Sequence, residues 1–181
     1  MSFAPVSDKM TAAGVSPSCI SAFSSTFSAL TAGSTGTVPE STISPAPALL
    51  NLADLSIAPR AALLDETVVL KLNGGLGTGM GLDKAKSLLP VKGSDTFLSL
   101  AAKQVRHLRK STGRDVKFML MNSFSTSEDT MSYLSAHYPD LVEGTEMLQN
   151  KVPKLDAATF LPATCAGNPE NEWCPPGHGD L

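Results

Sequence analysis

The stretch TVVLKLNGGLGTGMG, residues 67–81, decides the fold. It begins with a continuous apolar run from Thr67 to Leu72 and passes directly into five of the chain's 14 glycines. A short uninterrupted apolar run favours a strand that is buried on both faces of a parallel sheet. We therefore predict that a buried strand ends in a glycine-rich loop, Asn73 to Gly81, with Lys84 and Lys86 close behind it.

This loop has the composition of a phosphate-binding loop. Glycine lets a ligand approach the backbone, successive N–H groups form a concavity for anionic oxygens, and the nearby lysines suit a polyphosphate. Two standard motifs do not fit: the P-loop needs glycine where Ala85 stands, and the dinucleotide fingerprint needs glycine at Met80 or Leu82. The alternative is a plain flexible turn, which the position directly after a buried strand disfavours.

Two amphipathic helices are predicted after the loop. The first covers residues 96–112, with Asp95 or Thr96 as its cap and Gly113 at its end. Its inward face consists of Phe97, Leu100, Ala101, Val105 and Leu108. The second helix opens with a capping box, Ser125-x-x-Glu128, and turns Met131, Leu134 and Tyr138 inward.

Two more apolar runs, residues 116–121 and 145–148, predict a second and a third strand. The order strand–loop–helix–strand–helix–strand is typical of the α/β class with an open, mostly parallel, Rossmann-like sheet. Ligands of such sheets bind outside the carboxyl ends of the strands. We expect residues 73–86, 122–125 and 149–153 to meet at that edge.

Composition excludes several classes of protein. The chain of 181 residues has a net charge of −3, which excludes a generally basic nucleic-acid binder. Three cysteines cannot form a disulfide framework and indicate a reducing compartment. No apolar run is long and uninterrupted enough for a membrane span, and the N-terminus lacks the apolar core of a secretory signal. These features predict a soluble cytoplasmic protein.

Residues 1–50 differ from the rest of the chain, since they carry only three charged side chains but 17 serines and threonines. They suggest a disordered tail or a transit peptide, although the first arginine is Arg60. Ser16-Pro17 and the spacing of Ile20, Phe23 and Phe27 predict a short helix over 17–31. We divide the chain into an N-terminal segment, 1–50, and a catalytic-domain portion, 51–181.

Four ordered motifs resemble a known family. Residues 71–81 with Lys86 closely resemble the nucleotide-binding loop of the UTP–glucose-1-phosphate uridylyltransferase (UDP-glucose pyrophosphorylase) family. The other three motifs are FMLMNSFSTSED at 118–129, QNKVPK at 149–154 and EWCPPGHGD at 172–180. The resemblance implies the nucleotide-diphospho-sugar transferase type of sheet, present here in its N-terminal part.

The resemblance also implies roles for individual residues. Lys86 would be the catalytic lysine that neutralises the triphosphate, and Gln149 would hydrogen-bond the uracil. The residues implied to bind UTP are Leu72, Asn73, Gly74, Gly75, Lys86, Gln149 and Gly177. Those implied to bind glucose 1-phosphate are Gly74, Gly75 and His178.

The implied reaction is reversible nucleotidyl transfer, in which a phosphate oxygen of glucose 1-phosphate attacks the α-phosphorus of UTP in line. UDP-glucose and pyrophosphate are the products, and no nucleic acid or membrane partner is expected. In the family, the acidic residue that holds Mg²⁺ and a second catalytic lysine lie further along the chain than Leu181. We therefore expect no metal ligand among these 181 residues and no useful turnover by them in isolation.

Alternatives remain open at this point. The chain is also consistent with a non-catalytic fragment that at most binds nucleotide, or with a UDP-sugar pyrophosphorylase of another sugar specificity. The basic stretch 84–117 suggests a nucleic-acid surface, but no aromatic side chains interleave its charges. Cys165, Cys174 and His178 suggest a metal, but their spacing fits no standard zinc pattern.

Overall fold

The chain contains four helices and seven short strands within the residues that the computed structural model describes, 1–180 with the backbone alone at Thr78. The helices are α1 (Ala4–Ala12), α2 (Pro17–Thr31), α3 (Phe97–Thr112) and α4 (Ser127–His137). The strands are β1 (Val68–Asn73), β2 (Pro90–Lys92), β3 (Asp95–Thr96), β4 (Lys117–Asn122), β5 (Glu146–Leu148), β6 (Val152–Pro153) and β7 (Trp173–Cys174).

The three predicted strands form one parallel sheet in the order β1-β4-β5. The register pairs Asn73 with Asn122 and Asn122 with Leu148, so the carboxyl ends of all three strands lie side by side. Two antiparallel pairs accompany the sheet, β2 with β3 and β6 with β7. The predicted α/β class and its parallel sheet are confirmed.

Helix α3 begins at a reciprocal cap. Thr96 Oγ1 accepts a hydrogen bond from the Ser99 N–H at 3.0 Å, and Ser99 Oγ accepts one from the Thr96 N–H at 2.8 Å. Gly113 ends the helix at φ +66°, as predicted. The inward face was predicted wrongly at Phe97, which is 48% exposed, whereas Leu98 is fully buried. Phe97 is the first helical residue, and it lines a cavity described below.

Helix α4 begins without the predicted capping box. Its cap residue is Thr126, and no side chain caps the first turn. Thr126 Oγ1 donates instead to the carbonyl of Asn73 at 2.8 Å and accepts from the Ser123 N–H at 3.0 Å. A tertiary contact with the end of β1 has taken the place of a local one. The buried residues that pack α3 and α4 onto the sheet include Leu98, Ala102, Val105, Val116, Phe118, Leu120, Leu134 and Tyr138.

Strand β1 is covered on one face only, so the prediction of burial on both faces is wrong for the described residues. Val69 packs against the core formed with α3 and α4. Val68 is 52% exposed, and Leu70 and Leu72 are exposed as well. Because alternate residues of a strand point to opposite faces, these three side chains form one open apolar stripe.

The N-terminal helices are part of the fold. Helix α2 spans the predicted residues, and Ser16 Oγ caps it by accepting from the Cys19 N–H at 3.3 Å. Helix α1, which was not predicted, packs with α2 against the β6-β7 pair through a core of Val6, Met10, Cys19, Phe27 and Val152. The Lys9 ammonium pairs with the Glu172 carboxylate and donates to the Ala163 carbonyl at 3.1 Å. Residues 1–31 therefore pack into the fold in this structure, and the expected disordered tail is not observed there. Across residues 1–180, no helix combines the length and apolar character that crossing a membrane requires.

Candidate active site

The glycine-rich loop leaves β1 at the carboxyl edge of the sheet and folds back on itself. The Gly77 N–H donates to the Lys84 carbonyl at 3.0 Å, and the Lys86 N–H donates to the Gly75 carbonyl at 3.0 Å. These two bonds close the loop like a hairpin, with a bridge between Leu76 and Ala85 inside it. The predicted loop lysine, Lys86, consequently lies beside Gly75, and its side chain is exposed.

Gly74 lies against the side-chain amide of Gln149, which is predicted to bind uracil. A Cβ placed on Gly74 would lie 2.0 Å from Gln149 Oε1, so only glycine permits this approach. Gln149 Nε2 donates to the Gly177 carbonyl at 2.9 Å, and Gly177 has a φ of +114° that L side chains rarely adopt. Three of the residues predicted to bind UTP thus converge although they are distant in sequence.

Asn150, the residue after Gln149, also joins the Gln149 segment to the segment that contains Gly177. The Asp180 carboxylate accepts from the Asn150 backbone N–H at 2.6 Å and from Asn150 Nδ2 at 3.0 Å. Ser16 Oγ, at the cap of α2, donates to Asn150 Oδ1 at 3.4 Å. The segment that contains Gly177 and His178 is therefore tied to the Gln149 segment at two successive positions.

A buried polar network supports the start of the loop. Asn73 Nδ2 donates to Asn122 Oδ1 at 2.7 Å and to Thr130 Oγ1 at 2.9 Å. Asn122 Nδ2 donates in turn to Glu146 Oε1 at 2.7 Å. The amide nitrogen of Asn73 is therefore committed to the protein interior, and the UTP-binding role that sequence implied for this residue stays a prediction.

Two hydroxyls that sequence reasoning did not single out hold the loop backbone. Ser123 Oγ donates to the Gly74 carbonyl at 2.8 Å, and Thr126 Oγ1 donates to the Asn73 carbonyl. Both residues are fully buried. The only sequence signal for them is their place in the motif 118–129, directly after β4.

A cavity of about 400 Å³ opens between the loop and the His178 segment. Its lining contains most of the predicted site residues, namely Leu72, Asn73, Gly74, Gly75, Lys86 and His178. Lys71, Met80, Ser87 and Phe97 complete the lining and were not predicted. A second cavity, of about 770 Å³, shares Gly74 and Gly75 and is also lined by Lys151, Lys154 and Trp173.

Three acidic side chains near these cavities are already engaged, whereas Glu170, which lines the second cavity, is exposed. Asp180 is bound to Asn150, Glu172 to Lys9, and Glu146 to Asn122 and Ser127. Within residues 1–180, no three His, Cys, Asp or Glu side chains gather as metal ligands. Since Mg²⁺ prefers carboxylate oxygens, the residues present here do not fit a Mg²⁺ site by themselves.

Neither the Cys19 nor the Cys174 thiol is activated. Burial raises the pKa of the Cys19 thiol, with a further contribution from Asp180, and burial raises the pKa of the Cys174 thiol as well. A raised pKa keeps a thiol protonated and poorly nucleophilic. All three cysteines are free thiols. The interpretation of Cys174 as a structural thiol is consistent with this, and that of Cys165 stays a prediction.

The fold and the site together define an α/β protein of the nucleotidyltransferase type, with a glycine-rich loop and a lysine at the carboxyl edge of a parallel sheet. The model of the family described as UTP–glucose-1-phosphate uridylyltransferase matches residues 20–181. The chain belongs to this family.

Individual relatives carry the name of the same family. The chain is 42% identical over 133 residues to UTP–glucose-1-phosphate uridylyltransferase of Solanum tuberosum, covering 72% of this chain and 28% of that protein. It is 39% identical over 145 residues to the enzyme of Hordeum vulgare, covering 80% and 29%. The chain thus spans less than a third of the length of these relatives.

Solved structures show the same likeness. A variant of UDP-glucose pyrophosphorylase from Leishmania major, crystallised in complex with UDP-glucose, superposes with a TM-score of 0.90 at 47% identity. The match covers 97% of this chain and 37% of that one. The UDP-glucose phosphorylase of Trypanosoma brucei gives a TM-score of 0.91 at 46% identity, with 97% and 38% covered.

Proposed function

We propose that the protein containing these residues is a nucleotidyltransferase that makes UDP-glucose and pyrophosphate from UTP and glucose 1-phosphate. The observation that carries the proposal is the convergence of Gly74, Gln149 and Gly177 at one edge of the sheet, next to a cavity lined by Lys86 and His178. The names of the relatives add support, since each of them specifies glucose 1-phosphate or UDP-glucose.

In this proposal the base is recognised by the Gln149 amide. One Gln149 Nε2 hydrogen donates to the Gly177 carbonyl, which fixes the plane of the amide. The second amide hydrogen and Oε1 then remain to pair with a ring that offers both a carbonyl and an N–H, as uracil does. Selection of UTP over CTP follows, because cytosine presents a different order of donors and acceptors.

The transfer step needs alignment and charge neutralisation. An anionic phosphate oxygen of glucose 1-phosphate forms a bond to the α-phosphorus of UTP while the bond to the departing pyrophosphate breaks. The attacking oxygen is already anionic, so the step does not require a strong general base. Lys86, next to Gly75, neutralises phosphate charge, and His178 contacts the phosphate of the sugar.

Mg²⁺ is proposed as the cofactor on the family resemblance alone. The described residues do not offer its ligand set, so no step is assigned to it here. The non-catalytic alternative and a different sugar have no observation in their favour.

A direct assay tests the proposal. The native protein, supplied with Mg²⁺, UTP and glucose 1-phosphate, should release pyrophosphate and form UDP-glucose, and CTP should replace UTP poorly. Lys86→Ala should lower kcat/KM by at least about a hundredfold, the size seen when a transition-state charge partner is removed. Lys84→Ala is the matched control, because Lys84 is an exposed lysine of the same loop, and it should change kcat/KM by less than about threefold.

Two outcomes would contradict the proposal. The first is the absence of UDP-glucose formation by the native protein. The second is a loss below about tenfold for Lys86→Ala, which corresponds to only about 1.4 kcal/mol in the barrier and would remove Lys86 from the catalytic residues.

We also propose a cytoplasmic location. The support is the set of three free thiols, which suits a reducing compartment. A fluorescent fusion at the C-terminus, followed by cell fractionation, tests this, and enrichment in a secretory or organellar fraction would contradict it.

A further inference from the structure

Ser87 presents a buried hydroxyl without a partner. The residue is 6% exposed, and among the side chains that the structure describes, which exclude Thr78, its Oγ is the one buried oxygen or nitrogen that makes no hydrogen bond. Buried polar groups in folded proteins are nearly always paired, because an unpaired one has lost its hydration without compensation. The exception therefore requires an explanation.

Among the buried hydroxyls around the loop, the missing hydrogen bond is confined to Ser87. The other buried hydroxyls of this region are all bonded: Ser123 to Gly74, Thr126 to Asn73, and Thr130 to the Asn73 amide. The network beneath the loop is thus satisfied, and the unpaired hydroxyl lies on the opposite arm of the loop, after Lys86. Poor hydrogen bonding throughout this region therefore does not explain the unpaired Ser87 hydroxyl.

The position of Ser87 connects it to the candidate site. Ser87 lines the 400 Å³ cavity together with Lys86, Gly75 and His178. It lies within the short turn Lys86–Leu88, which the bond from the Lys86 N–H to the Gly75 carbonyl fastens to the loop. A turn about the Cα–Cβ bond of Ser87 breaks no hydrogen bond, because Oγ makes none.

We infer that Ser87 Oγ donates a hydrogen bond to a phosphate oxygen of the substrate that occupies this cavity, next to the Lys86 ammonium. The inference rests on the proposed function and adds a substrate-contacting residue to it. Phosphate suits the position because its oxygens accept only, while the hydroxyl is a donor without an acceptor and Lys86 supplies the opposite charge. UTP and glucose 1-phosphate both offer such an oxygen.

The test compares Ser87→Ala with the wild type in the native protein. Titration calorimetry with UTP, with glucose 1-phosphate and with pyrophosphate, each separately, shows which phosphate the hydroxyl serves. The affinity for at least one of them should fall about 10- to 100-fold, the range for loss of a hydrogen bond to a charged group. The melting temperature without ligand should be equal to or above that of the wild type, because the change removes an unpaired buried hydroxyl.

Ser123→Ala is the matched control. Its Oγ is equally buried but donates to the Gly74 carbonyl, so this variant should melt at a lower temperature than the wild type. Ser123→Ala is therefore expected to lower the melting temperature and Ser87→Ala is not, which separates a ligand-binding hydroxyl from a structural one.

The outcomes distinguish this inference from the proposed function. If Ser87→Ala keeps wild-type affinity for all three ligands, or melts at a lower temperature than the wild type, the inference is wrong while the proposed function stands. If the wild type binds none of the three ligands, the proposed function itself fails, and the inference fails with it.

Discussion

Gly74 and Gly75 are adjacent in the sequence but have different surroundings. A Cβ on Gly74 would collide with the Gln149 amide, whereas a Cβ on Gly75 would meet nothing within 4 Å. Gly75 also has no positive φ. Its reason for being glycine is therefore access to the cavity that it lines, and not backbone strain.

This contrast predicts different effects for two substitutions. Gly74→Ala should displace Gln149, break its bond to Gly177 and lower the melting temperature by a few degrees, together with a loss of UTP affinity. Gly75→Val should leave the melting temperature unchanged but weaken UTP binding at least tenfold, because a branched Cβ blocks close approach of the phosphates.

Calorimetric titration with UTP and a thermal melt of both variants are the measurements. Unchanged UTP affinity in Gly75→Val would mean that this part of the loop is a plain turn. An unchanged melting temperature in Gly74→Ala would show that Gln149 can move aside without cost.

At the scale of elements, the N-terminal helix α1 is attached to the β7 end of the β6-β7 pair by charge as well as by packing. The Lys9 ammonium lies 5.6 Å from the centre of the Trp173 ring and pairs with the Glu172 carboxylate. The hydrogen bond from Lys9, together with one from the Cys165 N–H, holds the pKa of Glu172 below its ordinary value. Because Trp173 lines the second cavity together with Gly74 and Gly75, this attachment lies close to the candidate site.

The lowered pKa of Glu172 predicts a pH dependence of stability. A carboxyl whose pKa is lower in the folded state stabilises the fold above its unfolded pKa, about 4.3, and this contribution is lost as the pH falls through the folded pKa. At pH 6 the wild type should therefore melt a few degrees above Glu172→Gln, and the difference should shrink below about pH 4.

Thermal melts of both proteins between pH 3 and 7 measure this effect. Glu170→Gln is the control, since Glu170 is an exposed neighbour, and it should follow the wild type at every pH. A constant difference between wild type and Glu172→Gln down to pH 3 would contradict the prediction.

At the scale of the whole molecule, the sheet face opposite the α3–α4 core is exposed along β1 within the described residues, whereas Met121 of β4 is fully buried on that face. Val68, Leu70 and Leu72 form the open stripe, and β1 pairs with β4 alone, so its other edge is unpaired among these residues. Exposed edges and apolar stripes of this kind promote association between chains.

We predict that residues 1–181, expressed as an isolated polypeptide, associate through the stripe on β1. Val68→Thr combined with Leu70→Thr keeps a high strand propensity but removes apolar surface, so light scattering at equal concentration should fall without a loss of melting temperature. Val69→Thr is the control on the opposite face, and it should lower the melting temperature because Val69 packs against the core. Unchanged scattering in the double variant would exclude this stripe as the contact.

Local patterns in the sequence were sufficient for most of the elements. The apolar runs, the Thr96 and Gly113 caps and the Ser16-Pro17 start each depend on residues a few positions apart, and β1, β4, α2 and α3 follow them closely. Helix α1 was missed because its apolar residues are few, and its stability comes from the distant core with Val152. The predicted capping box of α4 does not form, for a related reason. Thr126, the cap residue, donates its hydroxyl hydrogen to the carbonyl of Asn73, which is 53 residues away.

By itself, the sequence determined the parallel α/β class, the glycine-rich loop after β1 and the family, because these depend on periodicity, glycine spacing and ordered motifs within short windows. Only the tertiary structure decided that Gln149 lies against Gly74 and bonds Gly177, that Asn150 and Asp180 join their segments, and that Ser87 has no partner. Such contacts join residues that are 28 or more positions apart, and a hydrogen bond has a steep dependence on distance and angle. They are therefore fixed by how the sheet and its loops pack, which no local pattern in the chain records.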